Sequence, residues 1–179
     1  MIHRLASTEN REKILEYILE SEEFGPEEVA SALNLSKGLV STYFRELMNL
    51  GIIHKRGRRF CLSKGPELRE LKRFLNFWSL REALLPLKEN WMLALGVYGS
   101  FARGENEKAS DVDVWILVED VDPLKIMEFQ EKLEKVLGRE VDLLVLTRDK
   151  LTRLKKENPY LYWSIKLSSL VLWGDVDGL

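Results

Sequence analysis

The stretch GSFARGENEKASDVD, residues 99–113, determines the fold of the C-terminal half of this chain. An apolar segment over Trp91–Tyr98 precedes it and predicts a strand. The residues from Gly99 to Gly104 predict a sharp turn that opens a short helix, and a second strand is predicted over Val112–Val118. The pattern indicates a sheet in which polar groups gather at one turn between two strands.

Three carboxylates accompany the predicted strands. Asp111 and Asp113 are two positions apart, so in an extended chain they point to the same face. An amphipathic helix over Pro123–Leu137 leads to a third strand over Glu140–Thr147, and Asp142 lies near its start. Carboxylates on one face repel one another, and no lysine or histidine within the strands neutralises them. Divalent cations, which prefer oxygen ligands, are the natural compensation.

The turn supplies groups that suit a phosphate. Gly99 lets the backbone approach a ligand closely, amides at a helix start favour anions, and the Ser100 hydroxyl can hold a terminal phosphate. Together with the carboxylates, these features predict a site for a nucleoside triphosphate and two Mg²⁺ ions, which grip the attacking and leaving oxygens. Two alternatives stay open: Ser110 and Asp111 also suit a simple turn, and Arg103 can reach the triphosphate or pair with Glu105.

The ordered set of Gly99-Ser100, ten residues and Asp111-Val112-Asp113 resembles the G-S-x10-D-x-D signature of minimal nucleotidyltransferases in the DNA polymerase β-like superfamily. The similarity covers about residues 93–146. It implies that a nucleoside monophosphate, with AMP from ATP expected, passes to a hydroxyl of a partner protein or small molecule. The residues implied as catalytic and metal-binding are Asp111, Asp113 and Asp142, of which the last helps to deprotonate the attacking hydroxyl. The residues implied to bind nucleotide are Gly99, Ser100, Arg103 and Ser110.

Three short helical patterns occupy the segment from Ser7 to Leu50. Thr8 and Ser36 are predicted to cap the first and third helices, and Pro26 starts the second. A hairpin of two short strands turning at Gly57 follows, over residues 52–62. This order resembles a winged helix-turn-helix and covers about residues 8–63.

The winged module predicts binding to double-stranded DNA. The third helix turns polar side chains outward, and the hairpin is basic with no acid between Gly51 and Lys64. The alternative is that the module only mediates dimerisation or contact with a partner. The residues predicted to contact DNA are Lys37, Ser41, Thr42, Arg45, Lys55, Arg56, Arg58 and Arg59.

A long helix is predicted from Glu67 to about Leu85, between the two modules. Its apolar surface needs a cover, which is either core packing against the flanking modules or a second copy of the chain. The chain is therefore predicted to be an α+β protein with a winged helix-turn-helix over 1–64, a linking helix over 65–90 and a mixed-sheet nucleotidyltransferase domain over 91–179. The first 64 residues carry 10 Lys and Arg against 9 Asp and Glu, whereas residues 91–179 carry 12 against 16, which suggests modules with different partners.

The composition fits a globular protein of one large or two small domains, with 179 residues of which 45% are apolar and 31% charged. Cys61 is the single cysteine, and there are two histidines, which excludes an internal disulfide and a zinc site built by this chain. The first residues lack a signal-peptide pattern, and no apolar run is long enough to span a bilayer. We therefore expect a cytoplasmic protein with no membrane partner.

The resemblance also implies partners. Many minimal nucleotidyltransferases resemble antitoxins encoded beside HEPN toxins, and the fused DNA-binding module favours an antitoxin of such a pair, with a HEPN-like toxin as acceptor. One alternative is a transcriptional regulator whose nucleotidyltransferase-like domain senses a nucleotide and is catalytically silent. Another is an antitoxin that acts by occlusion alone. A homodimer is also expected, because winged modules often bind paired half-sites.

Overall fold

The structure, a computed structural model, describes residues 5–174, so the outer ends of the first and last predicted domains lie outside the described residues. The chain divides into two compact units that meet between Arg69 and Glu70. The division into a winged domain, a link and a catalytic domain stays a prediction.

The first unit contains three helices and a two-stranded hairpin. As predicted, the Thr8 hydroxyl accepts a hydrogen bond from the Arg11 amide at 3.4 Å and the Ser36 hydroxyl accepts one from Leu39 at 3.3 Å. The elements are α1 (Glu9–Leu19), α2 (Pro26–Ala32), α3 (Lys37–Asn49), β1 (Ile53–Arg56) and β2 (Arg59–Leu62). The predicted winged helix-turn-helix fold is confirmed.

The core of the first unit joins the helices to the hairpin through aromatic rings. Phe44 of α3 packs edge-on against Phe24 and Phe60, with ring centroids 5.5 Å and 5.1 Å away. Phe24 and Phe60 also exchange two backbone hydrogen bonds, of 3.0 Å and 2.9 Å. The loop before α2 is thereby fixed against the hairpin, which places acidic residues of that loop beside the basic strands.

Helix α4 (Pro66–Leu84) corresponds to the predicted link and runs into a short 3-10 turn (Leu85–Leu87). Leu80 and Leu84 are buried in the core of the second unit. Phe74 and Trp78 keep 39% and 55% of their surface exposed. The core of the second unit therefore covers Leu80 and Leu84 but not these two rings, and the two alternatives for their cover stay predictions.

The second unit is built on a mixed four-stranded sheet in the order β5-β4-β3-β6. Its elements are β3 (Met92–Val97), α5 (Gly99–Arg103), β4 (Val112–Val118), α6 (Pro123–Leu137), β5 (Val141–Leu146), α7 (Arg148–Glu157), α8 (Pro159–Ser168) and β6 (Leu170–Trp173). β4 and β5 run parallel, whereas β3 is antiparallel to both β4 and β6. The predicted α+β fold class is confirmed.

Each face of this sheet has its own core. On one face, Val114 and Ile116 of β4 pack with residues of α4 and α6. On the other, Trp115 and Leu117 pack with residues of α7 and α8. The fully buried Trp115 ring fits because its partner in β3 is Gly96, where an added Cβ would lie 2.5 Å from the ring. In residues 5–174 no helix has the length and apolar character needed to cross a membrane.

Candidate active site

The strand register places three polar side chains in a row across one face of the sheet. Asp113 of β4 stands opposite Asp142 of β5 in the parallel pair. The Tyr98 amide donates to the Asp113 carbonyl at 2.9 Å, which extends the row towards β3. Side chains alternate along a strand, so Asp113 shares the face of Trp115, which is the face covered by α7 and α8. The structure thus brings Asp113 and Asp142 together, as predicted, and adds Tyr98.

Gly99 has a backbone conformation and a neighbour that exclude other residues. Its φ is +64°, and a Cβ built on it would lie 1.8 Å from the Asp113 carboxylate oxygen Oδ2. The Asp113 carboxylate also accepts a hydrogen bond from the Ser100 amide. The turn at Gly99 is therefore bound to β4 through Asp113. The Ser100 amide, one of the helix-start amides expected to favour a phosphate, donates to the Asp113 carboxylate in this structure.

Burial and like charges act together on the titratable groups of the site. Burial raises the pKa of Asp113, and the charges of Asp111 and Asp142 raise it further. The Ser100 amide and the Arg103 guanidinium act in the opposite direction. Burial and the same carboxylates also raise the pKa of Tyr98, whose hydroxyl is hydrogen-bonded to Asp142. We call Asp111, Asp113 and Asp142 the carboxylate site; in it negative charge accumulates.

The donor atoms of the carboxylate site suit a divalent cation, but the three side chains do not yet converge on one ion position. Its donors are all carboxylate oxygens, which hard cations such as Mg²⁺ prefer. Within residues 5–174, however, no three His, Cys, Asp or Glu side chains already converge on one ion position. Asp111 and Asp142 are exposed, whereas Asp113 is only partly accessible, and Asp142 is hydrogen-bonded to Tyr98. The residues therefore fit a metal that draws them together.

Two residues predicted to bind nucleotide make local contacts instead. Arg103 Nε donates to Glu105 Oε2 at 2.8 Å, which is the second of its two alternatives. The Ser110 hydroxyl accepts from the Glu107 amide at 2.9 Å and closes a turn. Their contacts with nucleotide stay predictions.

Sequence reasoning missed three residues that support the loop between α5 and β4. Asn76 Nδ2 donates to the Phe101 carbonyl and to Asn106 Oδ1, both at 2.8 Å. Lys72 Nζ donates to the Asn106 carbonyl at 2.6 Å. Arg139 donates to the carbonyls of residues 108 and 110, the second at 3.5 Å. Only Asn76 left a signal in the sequence, as an amide within the apolar pattern of α4.

The predicted DNA-contacting residues lie on the surface of the first unit, with Ser41 the most covered of them. On α3, Lys37 pairs with Glu27, and Arg45 Nη2 donates to Thr42 Oγ1 at 3.2 Å. The eight positions are brought to α3 and to the hairpin β1–β2, which we call the wing. Their contact with DNA stays a prediction.

Two of the basic side chains of the wing already form ion pairs, which the sequence of the hairpin alone does not predict. Arg56 pairs with Glu23 at 3.1 Å, and Arg59 pairs with Glu28 at 2.7 Å while donating to the Glu23 carbonyl at 2.8 Å. In the described part of the chain, Lys55 and Arg58 have no ion pair or hydrogen bond from their side chains. The wing has no acid of its own, but the loop before α2 and the first turn of α2 bring acids to it.

The comparisons identify the class of both units. Residues 80–169 match the family model described as a nucleotidyltransferase domain, and residues 7–54 match one described as winged helix-turn-helix DNA-binding. This chain belongs to the nucleotidyltransferase family and carries a winged helix-turn-helix domain before it. It is a nucleotidyltransferase, and both resemblances drawn from the sequence are confirmed.

Its relatives match the C-terminal half. A protein of Methanocaldococcus jannaschii that is named as a protein adenylyltransferase is 36% identical over 91 residues, which cover 50% of this chain and 93% of the relative. The protein adenylyltransferase MntA of Thermococcus cleftensis is 44% identical over 52 residues, 28% of this chain and 52% of MntA. A solved toxin-antitoxin structure with AMP-PNP is 22% identical over 57% of this chain and 76% of the solved one, with a TM-score of 0.41.

Proposed function

We propose that this chain is a Mg²⁺-dependent protein adenylyltransferase that moves AMP from ATP to a hydroxyl of a partner protein and is coupled to DNA binding through its wing. Nucleotidyltransferases of its family generally use a divalent metal. The single observation that carries the proposal is the carboxylate site, where burial and then like charges raise the pKa of Asp113 beside a glycine with no room for a Cβ. The names of the relatives favour a protein as the acceptor over a small molecule.

In this mechanism the three carboxylates have different tasks. Asp111, Asp113 and Asp142 would hold one or two Mg²⁺ ions, which would neutralise the triphosphate and the departing pyrophosphate. Asp113, fixed by the Ser100 amide, sets where the other two carboxylates must converge. Asp142 is exposed and accepts the proton of the attacking hydroxyl. Gly99 leaves space for the Asp113 carboxylate beside the turn, and the Ser100 hydroxyl donates to the triphosphate.

The reaction is balanced without any further reactant. The acceptor oxygen forms a bond to the α-phosphorus, and the bond from that phosphorus to the bridging oxygen of the β-phosphate breaks. Pyrophosphate leaves, and the hydroxyl proton passes to Asp142. The acceptor that we propose is a HEPN-like toxin, which would make this chain the antitoxin of the pair and the wing a regulator of their shared operon.

The test is calorimetric titration of the purified chain with ATP, with and without Mg²⁺. We expect Mg²⁺-dependent binding that the Asp111→Asn/Asp113→Asn double variant loses. The matched control is Glu119→Gln/Asp120→Asn, which removes the same two charges just after β4, at the end of that strand away from the site, and should bind ATP as the unchanged protein does. Binding that survives in the double variant would remove these carboxylates from the site.

A second candidate function rests on the match of residues 7–54 to DNA-binding winged domains. In that case the chain is a regulator whose second unit senses a nucleotide without transferring it. Bound ATP would then change the affinity for operator DNA and be recovered intact. Release of pyrophosphate in the presence of the acceptor decides for the transferase.

A further inference from the structure

Tyr98 stands at the carboxylate site, although neither the predicted nucleotide contacts nor the predicted metal ligands include it. It directly precedes Gly99 and follows the last residue of β3. Its amide donates to the Asp113 carbonyl, and Asp113 stands opposite Asp142. Tyr98, Asp113 and Asp142 therefore occupy successive strands at one level of the sheet.

The Tyr98 ring and hydroxyl have different surroundings. The half-buried ring packs against the core formed with α7 and α8, which fixes its direction along the sheet face. The hydroxyl is hydrogen-bonded to the carboxylate of Asp142, which lies in β5, on the other side of Asp113 from Tyr98. A phenol reaches farther from its strand than an aspartate, so it spans from β3 to β5 past the intervening β4.

Asp142 depends on this contact for its orientation. It lies one residue inside β5 and is exposed, and within residues 5–174 no other hydrogen bond to its carboxylate is seen. Asp113, in contrast, is held by the Ser100 amide and by close packing against Gly99. Of the two facing carboxylates, one is fixed by the backbone and the other by a side chain.

We propose that Tyr98 is a positioning residue that holds the Asp142 carboxylate towards Asp113 by donating a hydrogen bond from its hydroxyl. The proposal rests on the proposed function for its consequence in catalysis, because only a bound metal nucleotide needs the third carboxylate in place. Tyr98 acts through Asp142 and does not touch the reacting atoms.

The first test measures the contact without nucleotide or metal. Urea unfolding of Tyr98→Phe, Asp142→Ala and the double variant gives a cycle in which the ring is retained and only the hydroxyl is removed. We expect Tyr98→Phe to lower the urea midpoint when Asp142 is present and to have no effect alongside Asp142→Ala. Equal shifts in both backgrounds would overturn the contact, whatever the outcome of the ATP titration.

The second test measures the consequence by titrating the same variants with ATP and Mg²⁺. Loss of a residue that orients a metal ligand commonly weakens metal binding on the order of tenfold. We expect Tyr98→Phe to weaken Mg²⁺-ATP binding by about this factor, and to add nothing alongside Asp142→Ala. Binding unchanged in Tyr98→Phe, while Asp111→Asn/Asp113→Asn abolishes it, would overturn the positioning role and leave the proposed function standing.

Tyr162→Phe is the matched control for both tests. Tyr162 belongs to the same core on the same sheet face, and the change also removes a single hydroxyl. It should leave both the coupling and the binding of Mg²⁺-ATP as they are. Mass spectrometry after incubation with ATP should find Tyr98 unmodified, since an adenylylated Tyr98 would make it an acceptor and overturn the positioning role.

Discussion

The carboxylate site and the wing both concentrate charge of one sign, yet they handle it in opposite ways. In the carboxylate site, three acids act on one another, and Arg103, whose charge lowers the pKa of Asp113, is itself paired with Glu105. In the wing, Arg56 and Arg59 are paired with Glu23 and Glu28 from outside the hairpin. The first cluster keeps an excess of negative charge that Arg103 offsets in part, whereas two of the four basic side chains of the second are paired with acids.

This difference shows what each region requires of a ligand. An excess of one charge in a partly buried site lowers the free energy of unfolding. A ligand of opposite charge offsets this loss when it binds. Exposed ion pairs contribute little to stability, but a wing that contacts phosphates must first exchange its own acids for them. We therefore expect ligand binding to stabilise the second unit strongly, and DNA binding to depend on release of the pairs in the first.

The largest effect is expected from Gly99→Ala, because the added methyl group collides with the Asp113 carboxylate. The new Cβ would lie 1.8 Å from Asp113 Oδ2 at a φ of +64°, so we expect loss of Mg²⁺-ATP binding and a free energy of unfolding lowered by about 1–3 kcal/mol. Calorimetry and urea unfolding measure the two effects.

Gly138→Ala is the control for this change. Gly138 has nearly the same φ, +61°, but nothing lies within 4 Å of its added Cβ. It therefore reports the backbone strain alone. Equal losses in the two variants would show that Asp113 does not require the space beside Gly99.

A smaller effect of unusual sign is expected from Asp113→Asn. Because burial and like charges raise the pKa of Asp113 in the folded chain, its ionised form opposes folding above the pKa of the unfolded state. The variant should therefore have a higher Tm than the unchanged protein at pH 7 without metal, although it loses ATP binding. The gain should vanish as the pH falls below the ordinary carboxyl pKa, where both states are protonated.

Thermal unfolding at pH 7 and at acid pH measures this effect, with Asp120→Asn as the control, since Asp120 is exposed beyond the far end of β4. A Tm that falls in Asp113→Asn at pH 7 would show that the Ser100 hydrogen bond outweighs the repulsion. The contrast between the two regions would then be lost.

The smallest effect is expected in the wing. Glu23→Gln/Glu28→Gln removes the ion pairs of Arg56 and Arg59 and leaves the hydrogen bond of Arg59 to the Glu23 carbonyl. We therefore expect affinity for duplex DNA to rise by roughly threefold to tenfold at low salt, with a steeper salt dependence. The free energy of unfolding should change by less than about 1 kcal/mol, because these pairs are exposed. Fluorescence anisotropy at several salt concentrations measures the affinity.

Glu12→Gln/Glu16→Gln, on exposed positions of α1, is the control for overall charge. An equal rise in both double variants would mean that the wing gains nothing from release of its ion pairs. A loss of affinity in Arg58→Ala would separately identify Arg58, the arginine of the wing that has no ion pair within the described residues, as a phosphate contact.

Local signals in the sequence predicted most of the fold. Helix α6 has the predicted bounds because Asp122 caps its start, Pro123 occupies its first position and Gly138 ends it in a left-handed conformation. Helix α7 was not predicted, since its ten residues are mostly charged and only Leu151 is buried, which leaves too short an apolar period. The elements with caps and sustained periodicity were predictable, and the short polar one was not.

The candidate site could be predicted only as far as neighbouring strands dictate it. Asp113 and Asp142 meet because each lies near the start of one of two parallel strands. The contact of Tyr98 with Asp142 and that of Arg139 with the loop before β4 join residues far apart in sequence through tertiary packing. The ion pairs of the wing arise in the same way, since Arg59 lies 31 positions after Glu28 in the sequence.

The order of strands in the second sheet also affects how the chain folds during synthesis. The first unit has all of its elements once β2, which ends at Leu62, has left the ribosome. β3 leads into the carboxylate site but gains its second neighbour only with β6, over residues 170–173. Until then one edge of β3 is open to pairing with other chains. We therefore expect the DNA-binding unit to fold first. Aggregation of the nascent chain should be most favoured in the interval before β6 pairs with β3 and completes the sheet.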